Sequence, residues 1–227
     1  MAPILIPAAS AEDWKQFLAD ARHWKSGYSA RALAHCWHAA AGLPPEITAA
    51  LSSAPVFAQA ELLLAIPEHQ VPLPGGGSPS QADLWLLLRT PSALASVAIE
   101  GKVAEPFGPT IGEWLGTGGD GASPNKVRRL KGLCELLRMP SAAPDLRYQL
   151  LHRTASAIIE ARRFIAAHAV MIVHSFSQQD AWYEDFEKFA AALGVQAEKG
   201  RLVPAPGHAA PTLHLGWVRG GAEHLRA

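Results

Sequence analysis

The sequence predicts an α/β fold in which helices flank both faces of one mixed β-sheet. Three observations point there. The first third of the chain carries Ala-rich runs between capping residues and stop signals. Two compact apolar segments, Ala82 to Arg89 and Ala95 to Val103, then sit on either side of a short turn. Beyond them helix and strand patterns alternate, which favours a layered sheet over a bundle or a sandwich.

Ser10 suits an N-cap, with Glu12 and Asp13 in the electrostatically favourable first turn of a helix running to about Arg22. Ser29 suits the cap of a second, Ala-rich helix that stops at Gly42. Pro44 and Pro45 open a short third helix. A fourth is expected from about Val56 to Ile66, broken by Pro67 and carrying Glu61 on its surface. These helices set off residues 1–55 as a helical N-terminal extension and 56–227 as the α/β core.

Pro72 to Pro79 is rich in Pro and Gly and reads as a loop. Ala82 to Arg89 reads as a buried strand ending at Thr90-Pro91, and Ala95 to Val103 as a second. The short link between them predicts an antiparallel hairpin. A weaker strand signal lies near His69 to Leu73. A short element at Gly112 to Leu115 is followed by helices at about Asn125 to Leu137 and Leu146 to Ala167. A strand at Ala169 to Phe176, a helix at Ala181 to Leu193 and a strand at Thr212 to Val218 complete the pattern.

Composition narrows the function. The chain has 227 residues, 49% hydrophobic and 18% charged, with no net charge, which excludes a disordered chain. No apolar run is long enough to span a bilayer, and the N-terminal Met1-Ala2-Pro3-Ile4 has no basic region before its short apolar run, so it does not read as a secretory signal. Only Cys36 and Cys134 are present, too few for a disulfide framework, so a reducing cytoplasm is expected. Neutrality argues against coating nucleic acid by bulk charge. The charge is nevertheless uneven. From Asn125 to Ile165 nine Lys and Arg face three acids. That basic stretch, with Lys126, Arg128 and Arg129 at its start, suits a phosphate-bearing substrate and equally suits solvated helix faces.

The segment with chemistry in it is Ser80-Gln81-Ala82-Asp83 followed by Val97-Ala98-Ile99-Glu100-Gly101-Lys102-Val103. Alternation along a strand puts Glu100 and Lys102 on one face and Val97, Ile99 and Val103 on the other. Burying charges there is costly unless they are paired. A hairpin brings Asp83 beside Glu100. Two carboxylates and a backbone carbonyl make a hard oxygen site suited to Mg²⁺, and a lysine beside it orients water or neutralises developing charge. Glu61 is expected to hold a metal-bound water or a second ion.

Asp83, Glu100-Gly101-Lys102 and Glu61, in this order of elements, resemble the PD-(D/E)XK nuclease superfamily, whose core is restriction-endonuclease-like. The segments EGKVAEPFGP, LRYQLLHRTASAIIEA and VMIVHSF together resemble an uncharacterised bacterial family within it. The resemblance implies that Asp83, Glu100 and the Gly101 carbonyl bind Mg²⁺ or Mn²⁺, and that Lys102 assists the attacking water. It implies phosphodiester hydrolysis in nucleic acid, DNA before RNA, with no membrane partner and a homo-oligomer left open. Its alternative is a nuclease-like binding module without catalysis. Some superfamily members carry Gln-x-x-x-Tyr on the following helix. Here the spacing gives Gln149 and Arg153, a partial match on one helix face that suits a phosphate contact or a solvated stripe.

Other signals are weaker. Gly116 to Gly121 fits G-x-G-x-x-G but lacks the strand before and helix after that a dinucleotide site needs, so it reads as a loop. Cys36 lies between His35 and His38 on a helix with no partner cluster in the sequence, which favours packing over zinc. His174 reads as a hydrogen-bonded interior histidine. Trp24, Tyr28 and Trp37 read as core aromatics in preference to base-stacking platforms.

Overall fold

A computed structural model describes residues 8–18, 20–116 and 122–226. Its centre is a six-stranded sheet made of β1 (Glu61–Val71), β2 (Ser80–Arg89), β3 (Leu94–Lys102), β4 (His168–Ser175), β5 (Leu202–Ala205) and β6 (Thr212–Arg219). The spatial order is β1-β2-β3-β4-β6-β5. The first three strands form an antiparallel meander, β4 and β6 run parallel to β3, and β5 closes the far edge antiparallel to β6. The expected β2–β3 hairpin is present, with Leu84 facing Ile99 and Leu88 facing Ala95.

Helices α1 (Ser29–Ala40) and α2 (Pro45–Ser52) cover one face, together with 3-10 turns at Ala11–Phe17, Ala21–His23 and Pro55–Phe57. There Leu33, Trp37, Ile47 and Phe57 pack on Leu84, Leu86, Val97, Ile99 and Ile172. On the other face lie α3 (Ile111–Leu115), α4 (Pro124–Leu136), α5 (Tyr148–Arg163) and α6 (Tyr183–Ala192). Leu150, Leu151, Ile158 and Phe189 pack there against Ala98, Met171 and Leu215. With both faces covered, every residue of β4 is buried, so its sequence reads as an unbroken apolar run.

Two expectations for the N-terminal half are corrected. The single helix from Ser10 to Arg22 is instead two 3-10 segments, and Trp14 rather than a helical stripe anchors the first in the core. The helix from Val56 to Ile66 is instead strand β1, which begins at Glu61. Leu, Ala and Glu are good helix formers, and local propensity outvoted the sheet in the reading of this segment. Pro67 decides against a helix. On the outer strand of the sheet it can lack an N–H without breaking a ladder.

The loop between β1 and β2 is held down by Arg129 from α4. Its guanidinium donates to the carbonyls of Gly76 and Ser78, the latter at 2.8 Å. Gly75 has φ +84°, and a Cβ there would lie 2.8 Å from the Arg129 amide nitrogen, so glycine is required on both counts.

Candidate functional site

Glu100 and Lys102 project from β3 towards α5, as alternation requires. Register then builds a row of acids across three strands. Pro67 faces Leu84 and His69 faces Ala82, which sets Glu68 opposite Asp83. The β2–β3 register runs to Leu84 facing Ile99, and one residue beyond it Asp83 reaches the end of β3 that carries Glu100. Adjacent strands are about 4.8 Å apart, so like charges in such a row repel. A strand that breaks this rule needs compensating charge, and α5 supplies part of it.

The Arg153 Nε donates to Glu100 Oε2 at 2.5 Å, and its Nη2 lies 3.9 Å from Asp83 Oδ1. The Lys102 Nζ donates to Glu100 Oε1 at 2.7 Å, and Gln149 Nε2 donates to the same oxygen at 2.8 Å. Both oxygens of Glu100 are therefore engaged. Its side chain is 2% exposed, against 5% for Lys102 and 9% for Arg153. The ammonium also stands 5.0 Å above the Phe107 ring centre. Asp83 Oδ2 accepts from the Gly101 N–H at 2.7 Å, and Glu68 Oε2 accepts from Gln81 at 2.7 Å. A Cβ on Gly101 would lie 3.3 Å from Asp83 Oδ2 and 3.4 Å from the Ser29 Cβ, so the glycine in Glu-Gly-Lys lets α1 and Asp83 approach the strand.

These groups line one cavity of about 520 Å³, with Tyr28 and Ser29 on one wall and Tyr148 and His152 on another. Glu68, Asp83 and Glu100 meet two cations there, Lys102 and Arg153, and Glu105 lines the same cavity with its carboxylate accepting from the Ser29 and Val103 N–H groups. Burial and the neighbouring Asp83 charge push the Glu68 carboxyl up to about 8. Burial and Glu100 push Asp83 up to about 7 against the pull of Arg153 and Lys102. For Glu100 burial works the same way, but Arg153 and Lys102 outweigh it and hold the carboxyl down to about 2.

A pH dependence follows. Glu68 and Asp83 bind protons more tightly folded than unfolded, so the stability they contribute is present below about pH 4 and is lost as pH rises through 7 to 8. Glu100 acts oppositely, its contribution being lost only as pH falls from about 4 to about 2. The buried histidines, held below their usual range, act in the opposite direction, so the carboxyl contribution is read as a difference. Between pH 5 and pH 8 the melting temperature of the unmodified chain is expected to fall relative to that of Glu68→Gln/Asp83→Asn, as read by thermal melts of both across the range.

Several expected site residues lie elsewhere. Glu61 is not on a helix and is outside the cavity. It starts β1 opposite Arg89, with which it forms an ion pair, both side chains being 61% exposed. Arg89 stands six positions along β2 from Asp83, roughly 20 Å along a strand. Glu61→Gln is therefore expected to change stability by less than about 0.5 kcal/mol in urea denaturation. Arg129 is buried on the β1–β2 loop and has no free guanidinium for a phosphate. Lys126 donates to the Trp114 carbonyl and lies over that ring, and Arg128 is exposed on α4. Gln149 and Arg153 do reach the site, though they face its carboxylates. Of the G-x-G-x-x-G stretch, residues 117–121 lie outside the described residues. The acids that sequence reasoning missed are Glu68 and Glu105. The signal for Glu68 was Pro67-Glu68-His69 beside the weak strand, and Glu68 adopts φ +53° there.

The fold and site define a mixed α/β protein with a buried acid–lysine–arginine cluster at one end of a three-stranded meander. The chain belongs to the family described as Domain of unknown function (DUF6946), whose model matches residues 7–222. Neither the curated proteins nor the solved structures contain a match to it. Among the described residues no helix is long and apolar enough to cross a membrane.

Proposed function

We propose that this protein is a restriction-endonuclease-like hydrolase that cuts phosphodiester bonds in nucleic acid, DNA in preference to RNA, with a divalent metal ion. The observation that carries the reading is the convergence of Asp83 from β2, Glu100 and Lys102 from β3, and Gln149 and Arg153 from α5 on one cavity. The meander, the crossover through α5 and the parallel β4 agree with the element order that the resemblance implies.

The donors fit a hard cation. The carboxylates lining the cavity outnumber Lys102 and Arg153, and burial, with like charge beside them, holds Glu68 and Asp83 protonated to higher pH. Asp83 and Glu68 would hold Mg²⁺ or Mn²⁺ with the Gly101 carbonyl, and Glu100 would join by releasing one of its present partners. When bound, the ion supplies Lewis acidity towards a phosphoryl oxygen. Glu100 fixes the Lys102 ammonium, which is placed to orient a water or meet charge on the phosphoryl oxygens. Gln149 and Arg153 fix Glu100 in turn. Binding of the ion ionises Glu68 and Asp83 around it and offers the phosphodiester a Lewis-acidic partner, so substrate binding should depend on the ion.

Incubation of the full chain with linear, circular and single-stranded DNA and with RNA, in Mg²⁺ or Mn²⁺ and in a chelator, tests the reading. Cleavage in the presence of the ion alone is expected. If no form of DNA or RNA is cut, the enzymatic claim fails. One observation favours the second reading, a binding module of the same fold. Arg153 lies against both Asp83 and Glu100 and already supplies positive charge there. Calorimetry without divalent-ion binding would select it.

A further inference from the structure

On the opposite face of the sheet, three residues of different chemistry meet. Cys36 comes from α1, Glu46 from the first turn of α2 and His174 from β4. Glu46 Oε1 lies 3.0 Å from His174 Nε2 and 3.5 Å from Cys36 Sγ. Among the described residues these three form the group of His, Cys, Asp or Glu whose ligand atoms all lie within 4.8 Å of one another. Cys36 is 3% exposed and His174 wholly buried, while the Glu46 side chain is 26% exposed. The trio thus has one open side, at the carboxylate.

The site is an awkward one for a plain core. Trp37 and Phe176 flank the imidazole, with ring centres 6.4 Å and 4.6 Å away. Its Nδ1 has no hydrogen-bond partner, a cost that an aliphatic side chain would avoid. Nothing in the acid–lysine cavity uses these groups.

We propose that Cys36, Glu46 and His174 bind one zinc-class transition-metal ion. A thiolate and a carboxylate cancel a double positive charge, and a neutral imidazole completes three ligands, so the loaded site is neutral and can stay buried. Sulfur and nitrogen donors select zinc over magnesium or calcium. Small shifts of side chains already gathered within 4.8 Å close onto an ion at about 2.0–2.3 Å from each ligand atom. Loading replaces the Cys36 S–H bond to hydrogen with a sulfur–metal bond and releases that proton to solvent. The turn Ala222–Leu225 packs on α1 nearby, with the His224 ring 6.1 Å from that of Phe176. Such an ion ties α1 and α2 to β4. Because α1 begins at Ser29, on the wall of the acid–lysine cavity, it also fixes that wall.

Chelator-treated full chain titrated with Co²⁺, a spectroscopic stand-in for zinc, tests this. A sulfur-to-cobalt charge-transfer band and the d–d bands of a tetrahedral ion should grow to one equivalent and bleach when Zn²⁺ is added. Cys36→Ser should abolish the sulfur band. Glu46→Gln, at the open side, should weaken affinity at least about tenfold while circular dichroism stays native. Absence of the sulfur band in the unmodified chain overturns the proposal, as does its persistence in Cys36→Ser. If Cys36→Ser does not fold, unchanged affinity in Glu46→Gln overturns it.

Discussion

Glu100→Ala should lower the free energy of unfolding by about 3–5 kcal/mol, the range for removing one partner of a buried ion pair. Glu100 is the common acceptor for Lys102, Gln149 and Arg153. Its loss leaves an ammonium and a guanidinium almost without solvent, in a pocket whose other acids hold back their own charge. Urea denaturation at pH 7 reads the effect. A loss below about 1 kcal/mol would mean that water reaches these cations and that the packing described around them is wrong. Arg153→Met should also destabilise, since Asp83 and Glu100 then face each other without the guanidinium against them.

Lys102→Ala is expected to reduce metal-dependent cleavage by about 10²–10³-fold, the range for deleting one preorganised group that meets developing charge. The loss should fall on turnover, with the fold retained, because Arg153 and Gln149 still hold Glu100. Cleavage kinetics on a labelled duplex, paired with circular dichroism, separate the two. Lys102→Arg restores the charge but not the compact ammonium geometry and should recover only part of the rate. Full activity in the alanine variant would remove Lys102 from the chemistry, and with it the role assigned to β3.

The contrast between Glu100 and Glu68 shows what a sequence can carry. Glu100 and Lys102 were readable because charge inside a β-branched strand is locally anomalous, and period-two alternation fixes their shared face. Asp83 was readable because a short hairpin link sets its register. Glu68 was not, because its place depends on β1 pairing with β2, and that pairing was hidden behind a helix-forming Glu-Leu-Leu-Leu-Ala run. The same error placed Glu61 near the chemistry. Gln149 and Arg153 were found by spacing, but their direction was not. Whether a helix face meets solvent or a buried acid depends on the crossover that brings α5 over β3. Cys36 was set aside for lack of partners nearby in sequence. Its neighbours Glu46 and His174 lie 10 and 138 positions along the chain, and tertiary packing alone brings them in. Strand β5 went unread because four residues around Pro204 carry almost no pattern.

The two outer strands of the sheet have a consequence for self-association. A free strand margin is a template on which a second chain can extend a sheet. Here one margin carries Pro67 and the left-handed backbone of Glu68, and the other is only four residues long and includes Pro204. Neither rim presents an uninterrupted row of donors and acceptors. Copies of this protein are thereby discouraged from fusing edge to edge into fibrils, even though the strands between those rims are among the most apolar stretches of the chain.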